Sequence, residues 1–152
     1  MRCFFIGHRH VNEEIYAMLF NEIVRHIEEY GVNEFAVGSY GRFDALAAKA
    51  VINAKKEFSY VRLLNVMHYY HYKEISLPQG FDGYLYPSES EMYHRRYSIV
   101  QGNQYMVRNS SYLICYVTHT VSNAKKILEY AKARERKGKI HVVNLSDKTE
   151  II

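Results

Sequence analysis

Short apolar runs alternate along this chain with stretches whose apolar residues recur every three or four positions, and that alternation leaves few folds open. Residues 2–6, 34–37, 61–66, 112–117 and 140–145 are rich in aromatic and β-branched side chains, as expected of strands covered on both faces. After the first run, Ile15, Leu19, Ile23, Ile27 and Tyr30 fall at helical spacing between a good N-cap, Asn12, and a stop, Gly31. After the second, Phe43, Leu46, Ala47, Ala50, Val51, Ala54 and Phe58 mark a helix whose small residues allow close approach to a sheet. A third helix is read from about residue 94 to 108, and a fourth, capped by Ser122 or Asn123, carries Ala124, Ile127, Leu128 and Ala131 inward. Strand and helix in regular alternation imply parallel strands with helices on both faces. The expectation is an α/β fold: one Rossmann-like domain over residues 1–152, its mostly parallel sheet of about five strands ordered 3-2-1-4-5.

Composition agrees. A hydrophobic share of 48% with 2 prolines in 152 residues favours a packed core over a disordered chain. No apolar run approaches the ~20 residues that cross a bilayer, and the opening residues lack a signal-peptide pattern. A cytoplasmic protein without a membrane partner is expected. Cys3 and Cys115 both fall in expected strands and read as reduced packing residues. The net charge of +4 suits anionic ligands but is too small to point to nucleic acid by itself.

In that strand order the chain reverses direction across the sheet between the first and fourth strands, and open α/β sheets bind ligands outside the carboxyl ends of their strands at such a point. Three loops should meet there: 7–10, 38–44 and 118–123. They hold His8, Arg9, Ser39, Arg42, His119, Thr120 and Ser122. The middle loop, Gly38-Ser39-Tyr40-Gly41-Arg42-Phe43-Asp44, joins a strand to a helix. Its glycines let a ligand approach the backbone, and the helix N–H groups and Arg42 favour an anion. Asp44 either caps the helix or holds a sugar hydroxyl; the whole stretch also suits an ordinary tight turn. Gly7 stands alone after the first strand, so the dinucleotide fingerprint is missing and no NAD-type cofactor is expected.

Gly7-His8-Arg9, the Gly38 to Asp44 loop, Phe81-Asp82-Gly83-Tyr84-Leu85-Tyr86-Pro87 with Glu89, and Arg108-Asn109 together resemble the YpsA-like branch of the SLOG superfamily, over about residues 2 to 145. That superfamily includes the lonely-guy phosphoribohydrolases, the DprA DNA-binding proteins and nucleotide-sensing domains. The resemblance implies a pocket for a nucleotide or nucleotide derivative, a homo-oligomer, and ligand contacts from Gly7, His8, Arg9, Gly38, Ser39, Tyr40, Gly41, Arg42, Asp44, Arg108 and Asn109, with Arg108 as a phosphate ligand. One loop departs from the pattern. Where the branch carries a glycine pair, this chain has Thr118-His119-Thr120-Val121-Ser122-Asn123, so the phosphate pocket would be narrowed, re-aimed or rebuilt from Thr120, Ser122 and the helix N-terminus, with His119 a further ligand contact. The glutamate of the lonely-guy motif is missing too, so the resemblance implies binding as sensor, carrier or sequestering protein rather than catalysis.

Two other functions stay open on the residues. An enzyme cleaving a nucleotide N-glycosidic bond would draw its carboxylate from Asp44 or Glu89. Single-stranded nucleic-acid binding, known on the DprA side, would use the basic series Lys125, Lys126, Lys132, Arg134, Arg136, Lys137 and Lys139, which also reads as a solvated face. Glu91 reads with Glu89 as exposed loop. His68, His71 and His94 lack a cysteine or paired carboxylate to complete a metal set, and no metal is expected. Tyr40, Tyr69, Tyr70, Tyr72, Tyr84 and Tyr86 cluster near the expected ligand edge, as base-stacking rings or as half-buried loop residues.

Overall fold

The strand β1 (Arg2–Gly7) is buried on both faces, and its alternation divides the core in two. Cys3 and Phe5 pack into one cluster, Phe4 and Ile6 into the other. Helices α1 (Tyr16–Tyr30) and α2 (Arg42–Ala54) cover the first face with Leu19, Ile23, Ile27, Phe43, Leu46, Ala47, Ala50, Val51 and Ala54. Helices α3 (Arg95–Arg108) and α4 (Asn123–Glu135) cover the second with Met106, Val107, Ile127, Leu128 and Ala131. The computed structural model describes residues 1–67, 76–87, 95–118 and 121–149.

The other strands are β2 (Glu34–Val37), β3 (Arg62–Val66), β4 (Gly83–Leu85), β5 (Tyr112–Tyr116) and β6 (His141–Asn144). They form one six-stranded sheet in the order β4-β3-β2-β1-β5-β6, and every pairing is parallel. The expected α/β architecture is therefore present, with the expected order extended at one edge by β4. Cys3 and Cys115 are free, buried, and on opposite faces of the sheet, so they pack rather than pair. Asn12 Oδ1 accepts from the Glu14 N–H at 2.9 Å, capping the short 3-10 turn (Glu13–Ile15) that leads into α1, and Gly31 ends α1 at φ 71°.

Two elements were not expected. In place of a strand continuing to Leu145, the chain turns after Asn144 into a short helix α5 (Leu145–Thr149), which buries Leu145 in the first core cluster. The edge strand β4 lies within residues 67–93, where the strand–helix pattern of the sequence breaks around Pro78, Gly80, Gly83 and Pro87 and reads as a long loop. Asp82 secures it: its Oδ2 accepts from the Leu63 N–H at 2.8 Å and from Lys55 Nζ, while its own N–H donates to Leu63 O at 2.8 Å. Among the described residues no helix is long and apolar enough to cross a membrane.

Candidate functional site

At the carboxyl end of β1, where the chain order reverses between β1 and β5, a cavity of about 440 Å³ opens between the loops and the α3–α4 face. Its floor is β1, from Phe4 to Gly7. The wall comes from His8 and Arg9 after β1, from Gly38, Tyr40, Gly41 and Asp44 after β2, and from Ser122, Asn123 and Ala124 at the start of α4. Ile99 and Asn103 of α3 close the remaining side. The volume lies within the ~300–1,000 Å³ typical of small-molecule sites, and the mixture of an apolar floor with a few polar groups is typical of them too.

The loop after β2 is closed largely by its own chain. Arg42 N–H, first of the α2 donors, is taken by the Arg9 carbonyl at 2.8 Å. That approach requires Gly41, because a Cβ there would stand 2.6 Å from Arg9 Cα. Asp44 Oδ2 accepts from the Tyr40 N–H at 3.0 Å, a local cap that folds the turn back on the helix. Ser39 Oγ accepts from Asn65 Nδ2 at 3.1 Å. The Arg42 guanidinium, half-exposed, pairs with Glu13 and does not line the cavity. Among the described residues the cation that does line it is Arg9, held toward the turn by Nε donation to Tyr40 O at 3.5 Å.

Asp44 is the chemically distinctive group. Loss of solvation among the cavity walls pushes its carboxyl up to about 6, against the opposing pull of the Tyr40 N–H. His8 is shifted the other way, its pKa lowered by burial. Opposite β1, Ser122 Oγ accepts from the Lys125 N–H at 3.1 Å and caps α4, as one of the two expected caps. The opening N–H groups of α4 face the same end of the sheet, where their partial positive charge favours an anion.

Of the residues singled out in the sequence, Gly7, His8, Arg9, Gly38, Tyr40, Gly41, Asp44 and Ser122 meet at the cavity. Ser39 and Arg42 stand beside it in the same turn. Arg108 and Asn109 do not come near. Helix α3 runs back across the sheet, so its last residues lie at the amino edge: Arg108 Nη1 donates to the Tyr130 hydroxyl at 3.2 Å, and Asn109 Nδ2 donates to Tyr105 O at 2.9 Å. The direction of its helix thus keeps Arg108 out of the lining of this cavity. Lys132, Arg134, Arg136, Lys137 and Lys139, around the end of α4, share that distant edge. His119, Thr120, Glu89, Glu91, His68, His71, His94, Tyr69, Tyr70 and Tyr72 lie outside the described residues. Among the described residues no cluster of three or more His, Cys, Asp or Glu side chains could hold a metal ion.

Ile99, Asn103 and Asn123 are wall residues that the sequence did not single out. Asn103 left a faint signal, a polar side chain on the helix face turned toward the sheet. Compared with known proteins, the sequence matches no family model and no curated protein.

Proposed function

We propose that the protein binds a nucleotide or nucleotide-derived small ligand in this cavity, as a sensor, carrier or sequestering protein. The observation that supports it is the meeting of three loops over the end of β1, with one cation, one enclosed carboxyl and one helix start around a single volume. Arg9 and the start of α4 suit a phosphate. Asp44 suits a sugar hydroxyl, and the apolar floor suits a base. The resemblance to the SLOG superfamily points the same way. A thermal-shift screen against nucleoside mono-, di- and triphosphates, NAD, ADP-ribose and cyclic nucleotides tests the reading. One ligand class should raise the melting temperature in proportion to the logarithm of its concentration. Arg9→Ala and Asp44→Asn should weaken that shift, and Arg108→Ala should leave it. No shift with any nucleotide would sink the proposal.

The Asp44 environment favours a second reading, hydrolysis of an N-glycosidic bond. A carboxyl that titrates near 6 is partly protonated at neutral pH and can donate to a departing base, while its ionised form can orient water. Under this reading AMP and water would be converted to adenine and ribose 5-phosphate, and Asp44→Asn would stop turnover while retaining binding. Binding without turnover in the native protein leaves the sensor or carrier reading.

A further inference from the structure

Resting on the reading of the cavity as a ligand site, we propose that His8 is a fixed, neutral hydrogen-bond donor that selects an acceptor atom on the ligand, and that Asn144 acts behind it as a positioning residue. The Thr118 N–H donates to His8 Nε2 at 2.9 Å, and the Thr118 hydroxyl lies 3.1 Å from the same nitrogen. A ring nitrogen that accepts from a backbone N–H carries no proton, so in the neutral ring the proton sits on Nδ1. Among the described residues nothing accepts from Nδ1, and His8 lines the cavity. The ligand is thus offered a donor and no basic lone pair.

Geometry also opposes charging the ring. Protonating Nε2 would set N–H against the Thr118 N–H, which cannot turn away, and burial adds to the effect. The neighbouring groups are Arg9 next in the chain, Asp44 lining the same cavity from α2, and the Tyr116 ring of β5, edge-on at 6.4 Å. A cation at Arg9 disfavours a second charge. Ionised Asp44 favours one, without removing the clash at Nε2.

What prevents the Thr118 N–H from turning is Asn144. Strand β6 ends there, in register with Cys115, so the backbone ladder stops short of Val117. The Asn144 side chain continues it: Oδ1 accepts from the Val117 N–H at 3.0 Å and Nδ2 donates to the Val117 carbonyl at 2.9 Å. The Ser146 hydroxyl donates to that carbonyl at 2.6 Å. Because the peptide is planar and trans, a Val117 carbonyl pinned toward β6 aims the next N–H, that of Thr118, in the opposite direction, at His8. A carbonyl, ether or phosphoryl oxygen on the ligand would be accepted by the resulting donor. An amino group in that place would leave two donors facing each other and would bind less well.

Long-range ¹⁵N–¹H correlation spectra of the full chain without ligand test the tautomer. His8 should be in the Nδ1–H form alone, and its pKa should lie below the ordinary histidine value of about 6.5. Asn144→Leu should yield a mixture of tautomers and a higher His8 pKa, and Ser146→Ala, the milder change, should move both in the same direction. AMP then serves as the ligand probe. It should displace the His8 Nδ1–H resonance; His8→Asn, which keeps a donor near that position, should bind within about threefold, and His8→Phe about tenfold more weakly. An Nε2–H or mixed tautomer in the native protein overturns the donor, and an unchanged tautomer in both variants overturns the role of Asn144. AMP binding that perturbs Asp44 and Ser122 but not His8 also overturns the donor. If AMP perturbs none of these residues, the ligand-free spectra still decide the state of His8, and the nucleotide reading falls only when every nucleotide of the thermal-shift screen fails as well.

Discussion

Gly7 is where the site and the core meet most tightly. A Cβ added there would lie 2.2 Å from Phe43 Cγ, and Phe43 is fully buried among residues of the first core cluster. Gly7→Ala should therefore cost on the order of 1–3 kcal/mol, read as a lower urea midpoint with little change in slope. Phe43→Leu in the same chain should recover part of that loss by opening space. Gly7 and Asp44 could be singled out from the sequence because their chemistry is local: a glycine after a strand and an acid in the first turn of a helix each have few roles. The fate of Arg42 could not be read, because Glu13, which pairs with it, lies in another loop. The place of Arg108 could not be read for a related reason. Its motif neighbours lie close in sequence, yet a helix of 14 residues carries it to the far edge of the sheet.

Elements with an internal period were legible, and those specified by a neighbour were not. The pattern read from Phe43 to Phe58 is helix α2 as far as Ala54, every inward position being apolar and buried, while Phe58 packs against the same cluster beyond the helix end. Strand β4 has three residues, begins with glycine and is only half-buried, so no alternation announces it. It exists because β3 presents an open edge and Asp82 ties the chain to Leu63 and Lys55. Removing that tie in Asp82→Ala should leave the core intact and free the edge. Amide exchange at Met67, whose N–H donates to Leu85 O of β4 at 2.9 Å, should accelerate by at least about tenfold, with global stability reduced by about 1 kcal/mol. Equal acceleration across β1 and β5 would instead mean that β4 supports the whole sheet. Helix α5 was hidden in the same way: the apolar run ending at Leu145 reads as strand, but the Asn144 side chain takes over the ladder and releases the backbone.

Taken over the whole molecule, buried and half-buried titratable groups act in opposite directions on stability at mildly acidic pH. Asp44 has a folded pKa of about 6, raised from 3.8, so folding favours its protonated form. It contributes a penalty on the order of 2–3 kcal/mol above pH ~6, relieved as pH falls through the window between ~6 and ~4. His26 works the other way. Fully buried, it donates Nδ1–H to Glu22 O at 2.8 Å, and its ring meets Tyr30, Tyr112 and His141, with Glu22, Arg25 and His141 as the charged or titratable groups acting on it. Burial lowers its pKa, as it does for His8, so stability is lost as pH falls from the ordinary histidine value of 6.5 toward the folded one. In the native chain the two trends overlap and partly cancel. Asp44→Asn keeps an acceptor for the Tyr40 N–H and removes only the acid's contribution. Its stability should exceed the native protein's at about pH 7.5, fall to parity near pH ~4, and drop more steeply between them. Denaturant melts across that range check the crossing, and adding His26→Phe to the Asp44→Asn variant should flatten the slope again. Parallel native and Asp44→Asn profiles would show that Asp44 titrates in the folded protein as it does in the unfolded chain, and would withdraw the partly protonated acid on which the hydrolase reading depends.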